Sequence, residues 1–106
     1  VASVTFEETL TIAAASKVSN SIETRIEERN TSYILLLAPG AINGRAVVEV
    51  SIDDSLFKTL RVDDKEVRVR KDTAISLSPL TYRYIRLASN RNQNIDRVFT
   101  AMGVSV

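Results

Sequence analysis

The chain has 106 residues, 44% hydrophobic and 25% charged, with a formal net charge of +1, the proportions of a globular protein. It contains no cysteine and no histidine, which excludes disulfide scaffolds, thiol nucleophiles, imidazole metal ligands and histidine-based catalytic triads. Its longest apolar run, "YILLLA" (33–38), falls far short of the ~18 residues a membrane-spanning helix requires.

The length suits a single domain covering residues 1–106, with one core. The opening residues alternate in polarity instead of forming a charged and then an apolar region, so no secretory leader is expected. Charge is unevenly spread: residues 1–53 carry 4 basic and 7 acidic side chains, a net of −3, and residues 54–106 carry 10 and 6, a net of +4. Two solvated faces of different composition account for this; a two-signed docking surface is the sharper reading.

In chain order, "SVTFEETLTIAA" alternates, with Val4, Phe6, Leu10 and Ile12 on one side and Thr5, Glu7, Thr9 and Thr11 on the other. A period of two rich in Thr predicts a strand, and Glu8 on the apolar side places a bulge or strand end nearby. "SNSIETRIEERN", with Val18 just before it, carries both a spacing of four (Val18, Ile22, Ile26) and a local alternation; a short segment between Ser/Asn clusters favours strand over helix. "SYILLLAPG" is apolar on both faces and predicts a central strand covered on both sides, stopped by Pro39-Gly40. "RAVVEVSID" points Ala46, Val48, Val50 and Ile52 inward, and "DDS" supplies turn chemistry before "LFKTLRV" returns.

Further on, "KEVRVRK" groups Val67 with Val69, "TAISLSPL" buries Ile75 and Leu77, and "TYRYIRLAS" sets Ile85 and Leu87 against Tyr82, Tyr84 and Arg86. "NRNQN" reads as a polar loop, and "IDRVFTAMGVSV" as a last strand of undetermined inward face. About eight short strands with regular turn signals predict an all-β fold, an antiparallel β-sandwich or jelly roll.

Little in this pattern speaks for catalysis. Asp53-Asp54, Asp63-Asp64 and Glu27-Glu28 are adjacent pairs, and adjacent strand residues point to opposite faces, so they are not acid–base dyads. Turn-forming Asp is the plain reading, a calcium site the alternative. No Ser sits in a nucleophile elbow, and the three glycines form no phosphate loop. The expectation is a non-enzyme without cofactor or metal. Arg83, Arg86, Arg91 and Arg97 share a 16-residue region with Tyr82 and Tyr84. A single-strand groove uses such residues, but a pI near 8.3 is below the usual nucleic-acid footprint. The plain reading is a strand whose Arg stems cover apolar surface with their heads in solvent or paired to acids; Tyr82, Tyr84, Arg86 and Arg91 are the candidates for a protein interface, where Tyr and Arg concentrate binding energy.

The order "SIDDSLFKTL", "ISLSPLTYRYIRLAS", "DRVFTAMGV" resembles the discoidin or galactose-binding-like sandwich over about residues 33–104. Ser51, Asp53 and Phe57 match its first element, with Asp54 where Gly is usual, and Tyr84, Ile85, Arg86 and Leu87 match its second. More closely, "LLLAPGAINGRAVVEVSIDDSLFKTL" and "VRKDTAISLSPLTYRYIRLAS" resemble small virion proteins of tailed bacteriophages, of the capsid decoration or cement type. That resemblance implies a structural protein on the capsid surface, made in the host cytoplasm. It also implies a homo-oligomer (dimer or trimer) whose partner is the major capsid protein, with no nucleic acid and no membrane. A carbohydrate-binding module and a tail fibre or baseplate adaptor are the alternatives on the same fold.

Overall fold

The computed structural model describes residues 3–24, 31–77 and 82–106. Residues 25–30 and 78–81, which hold the end of the ambiguous "IETRIEERN" segment and of "TAISLSPL", lie outside the described residues. Among the described residues there is no helix, as the alternation predicts. The strands are β1 (Ser3–Ile12), β2 (Ile22–Glu23), β3 (Tyr33–Leu37), β4 (Ala46–Ser51), β5 (Lys58–Thr59), β6 (Arg61–Val62), β7 (Lys65–Glu66), β8 (Arg68–Val69), β9 (Ala74–Leu77), β10 (Tyr84–Ser89) and β11 (Arg97–Ser105).

One sheet has the order β1-β11-β3-β9; a second has β2-β10-β4-β5, with β8 also on β4; β6 and β7 form a separate hairpin. All pairings are antiparallel. The two larger sheets share one core, to which the first contributes Phe6, Leu10, Ile12, Ile34, Leu36, Phe99 and Ala101, and the second Ile22, Val48, Val50, Ile85 and Leu87. This is an all-β sandwich.

With β5 and β8 counted as one line along β4 and the β6–β7 hairpin set apart, the eleven strands of the described residues reduce to eight, where the sequence suggests two separate strands in "LFKTLRV" and "KEVRVRK". Lys58 pairs with Val50 and Thr59 with Glu49; then Arg68 pairs with Val47 and Val69 with Ala46. The interruption falls opposite Val48, which accepts from the Leu60 amide (2.8 Å) and donates to the Val67 carbonyl (3.0 Å). The β6–β7 hairpin is looped out between those two bonds. Its two-residue turn, Asp63-Asp64, has φ of 53° and 65°, both left-handed, as the turn that matches strand twist requires. Asp tolerates that region because its short polar side chain bonds locally.

Several expectations of side and register change in the fold. Val4 is 60% exposed because the β1–β11 register shifts between Val4 and Phe6; that bulge reverses the facing of Val4 and lies N-terminal to Glu8. After it, Phe6 pairs with Gly103, and its ring occupies the space a β-carbon at Gly103 would need. Ile52 is not inward but 76% exposed, since β4 ends at Ser51 and the chain turns there. β3 is central in its sheet, but only Ile34 and Leu36 are fully buried; Tyr33, Leu35 and Leu37 are half-buried on the outer face. On β11 the inward side, undetermined from sequence, is that of Phe99, Ala101 and Gly103.

Part of the open rim of β1 is covered by a side chain, next to an isolated bridge between Ile12 and Ser19. Asn20 accepts from the Thr11 amide (2.8 Å) and donates to the Thr9 carbonyl (3.1 Å). It satisfies two backbone groups that would otherwise template another strand.

Candidate functional site

β10 alternates as its sequence predicts: Ile85, Leu87 and Ser89 are buried, while Tyr84, Arg86 and Ala88 are half-exposed on the outer face of the second sheet. In register with β4, Arg86 lies directly opposite Glu49. Its Nε donates to Glu49 Oε1 at 2.7 Å, and its guanidinium carbon stands 4.0 Å from the centre of the Phe57 ring. The Arg86 and Glu49 side chains are 29% and 19% exposed, so the pair is only partly screened by solvent. Cross-strand pairing, a charge-assisted hydrogen bond and a cation–π contact all hold Arg86 in one orientation. Tyr84 continues the same face, and Arg83 Nε meets Glu23 Oε1 (3.3 Å) at its margin.

Phe57 reaches this place because of the turn before it. Asp53 Oδ1 accepts from the Ser51 hydroxyl (2.9 Å) and from the amides of Ser55 (3.0 Å) and Leu56 (3.1 Å). Ser51 Oγ in turn accepts from the amides of Asp53 and Asp54. Asp54, standing where the resembled pattern has Gly, has φ 62°, and its carboxylate accepts from the Ser21 hydroxyl. These Asp residues shape the turn, and no three metal-ligating side chains converge among the described residues.

The Ser55 and Leu56 amides, and after them the Ser51 hydroxyl, hold the Asp53 carboxyl below its ordinary value of 3.8. Its folded value lies under its unfolded one, so the ionised form adds stability that is complete above about pH 3.8 and lost as pH falls through the folded value. Asp53→Asn is expected to melt below the parent near neutral pH, with the gap closing in acid. Thermal melts across a pH series check this; a gap that stays constant into acid refutes it.

The four interface candidates do not form one cluster. Tyr84 and Arg86 share the outer face. Tyr82 packs against the core, because Arg83 is a bend and not a strand residue, which breaks the alternation that placed Tyr82 beside Tyr84. Its carbonyl accepts from the Thr24 hydroxyl at 2.8 Å. Arg91 is exposed in the loop after Ser89, at the other end of β10 from Tyr84, with its carbonyl accepting from Ser89 Oγ (2.6 Å) and Gln93 Nε2 (3.1 Å). Of the wider arginine group, Arg97 is only 8% exposed and bonds the amide oxygens of Asn43 (3.1 Å), Asn94 (2.7 Å) and Gln93 (3.3 Å). It is held inside the fold and does not face a groove.

Sequence reasoning missed the partners Glu49 and Phe57, and it missed Gln93 inside the loop read as merely polar. Glu49 had a signal, as the one charged residue on the outward side of β4. Phe57 had only its place after the turn. Gln93 had none, since its role depends on three loops meeting: it is 1% exposed, its Oε1 accepts from the Asn43 amide (2.8 Å), and its Nε2 donates to the Asn43 carbonyl (2.8 Å) and Ser89 Oγ (3.1 Å).

No protein-family model, no curated protein and no solved structure matches this chain.

Proposed function

We propose that the protein is a structural component of a tailed-phage virion, a decoration or cement protein that docks on the shell of the major capsid protein. The observation that carries this reading is the outer face of the second sheet. Arg86, clamped by Glu49 and stacked on Phe57 beside half-exposed Tyr84, is a rigid Arg–aromatic patch. Such side chains dominate interface energetics, and their preorganisation lowers the entropy cost of docking. The strand order adds support. With β5–β8 counted as one strand, successive strands alternate between the two sheets along most of the chain, as in a jelly roll, an architecture that viral capsid domains use. The step from fold to shell binding rests on resemblance. In this reading the protein acts by binding alone, without a catalytic step or cofactor, on the virion surface after synthesis in the host cytoplasm.

The test is co-sedimentation of the purified protein with capsid shells lacking it. Arg86→Ala removes one partly exposed ion pair and one cation–π contact, a loss of about 1–2 kcal/mol, so it stays folded. It is expected to bind shells at least about tenfold more weakly, a difference of about 1.4 kcal/mol. Parental binding by this variant refutes the patch. A parent protein that labels tails and not shells points to the adaptor role, and selective retention on a glycan array points to a carbohydrate module.

A further inference from the structure

The two lateral sides of the sandwich carry opposite charge. On one side, edge strands β1 and β2 flank a groove of about 700 Å³ lined by Glu7, Glu8 and Glu23, the last paired with Arg83, together with Asn20 and Ser21. On the other, β8 and the chain leading to β9 border a groove of about 430 Å³ lined by Arg45, Arg68, Arg70 and Lys71, with Ile42 and Val69 at its base. Arg68 and Arg70 also line the next depression, where Arg61 and Lys65 alternate with Asp64 and Glu66, so the unmixed basic stretch is the groove itself and ends at the β6–β7 hairpin. Among the described residues, the ion pairs join Arg61 to Glu66, Arg83 to Glu23 and Arg86 to Glu49; the four cations of the second groove take part in none. Four unneutralised cations along one edge repel each other, and the fold retains them there.

We infer that this basic edge docks the acidic β1/β2 edge of a second copy of the chain, head to tail. Charge decides the geometry. A two-fold interface sets a patch against itself, which would face basic groove to basic groove. The edges lie on opposite sides, with two strands between the edge strands of the first sheet, so two copies cannot satisfy both at once. Head-to-tail contacts close only as rings of three or more, or continue as a filament. Asn20 occupies the β1 backbone at Thr9 and Thr11, so along that stretch the contact runs through side chains and not by strand addition. The inference goes beyond the capsid reading and needs no shell: rings without shell binding count against the function alone, and shell binding by a monomer counts against the inference alone.

Sedimentation velocity of the full chain decides it. At about 0.01 M salt, where charges act over about 30 Å, the protein is expected to sediment as a ring or larger species; near 1 M, where the range is about 3 Å, it is expected to dissociate. Arg68→Glu with Arg70→Glu, and separately Glu7→Lys with Glu23→Lys, are each expected to give monomers with native circular dichroism. An equimolar mixture of the two variants is expected to reassociate. If either reversal misfolds, the neutral pairs Arg68→Gln/Arg70→Gln and Glu7→Gln/Glu23→Gln replace it, with association expected about tenfold weaker than the parent. A parent monomeric at low salt, an assembly unchanged by both variants, or a mixture that stays monomeric overturns the inference. So does a monomeric parent whose basic groove instead retains an oligothymidylate at physiological salt.

Discussion

Gln93→Ala is expected to lower the unfolding free energy by about 3–5 kcal/mol, the range of a broken buried network. The amide bonds both backbone groups of Asn43, the Ser89 hydroxyl, the Arg91 carbonyl and Arg97 Nε. The Gln93 backbone ties the same point to the first loop, accepting from the Ala15 amide (2.7 Å) and donating to the Ser16 carbonyl (3.1 Å). Loops at 13–19, 38–45 and 90–96 thus meet on one residue. Truncation leaves several buried groups without partners, and each such group costs about 1–3 kcal/mol unless water reaches it. Small domains have only about 5–15 kcal/mol to lose. Gln93→Glu is expected not to rescue, because it replaces the donating NH2 by an acceptor that faces the Asn43 and Arg91 carbonyls. Denaturant unfolding of both variants checks this. A Gln93→Ala variant within about 1 kcal/mol of the parent, the size of one ordinary hydrogen bond, means the network is not cooperative.

The second large effect lies in the core. Phe99 is fully buried and pairs across to Leu10, so Phe99→Ala is expected to cost about 3–5 kcal/mol in lost transfer energy and cavity formation. On β10, Ile85→Ala is expected to cost about 2–5 kcal/mol. The neighbour of Phe99 is the control: Val98 is 48% exposed on the opposite face of the same strand, and Val98→Ala is expected to change stability by no more than about 0.5 kcal/mol. Paired melts of the Phe99 and Val98 variants read the facing of β11 directly. Equal losses at both positions contradict the two-faced packing.

The strands themselves were legible because alternation is a local signal. Wherever a strand is covered on one face, burial imposes a period of two on the chain, as in Thr9 to Ile12, Ala46 to Val50 and Ile85 to Leu87. Adjacent Asp pairs announced turns for a similar reason, since Asp bonds its own backbone within two or three residues. The candidate site was half legible. Tyr84 and Arg86 fall on one side by alternation, but Tyr82 does not follow them, because one bend at Arg83 resets the count.

What no local pattern contains is the distance between segments far apart in sequence. The bulge after Val4 goes with a Phe6 ring set over Gly103, about a hundred residues on, a meeting that no local pattern announces. The orientation of Arg86 comes from Glu49 across the ladder and from Phe57, delivered by the Asp53 turn. Gln93 is a solvated amide in a loop until the Asn43 and Ser16 loops close over it; then its polar groups, cut off from water, must find partners in the chain. Sequence alone determined which residues alternate and where the chain turns, because those depend on the period of burial and on side chains bonding their own backbone. Tertiary structure alone decided which charges and amides meet, because a contact between distant segments depends on sheet order and register, and shifting a strand by one residue exchanges its faces.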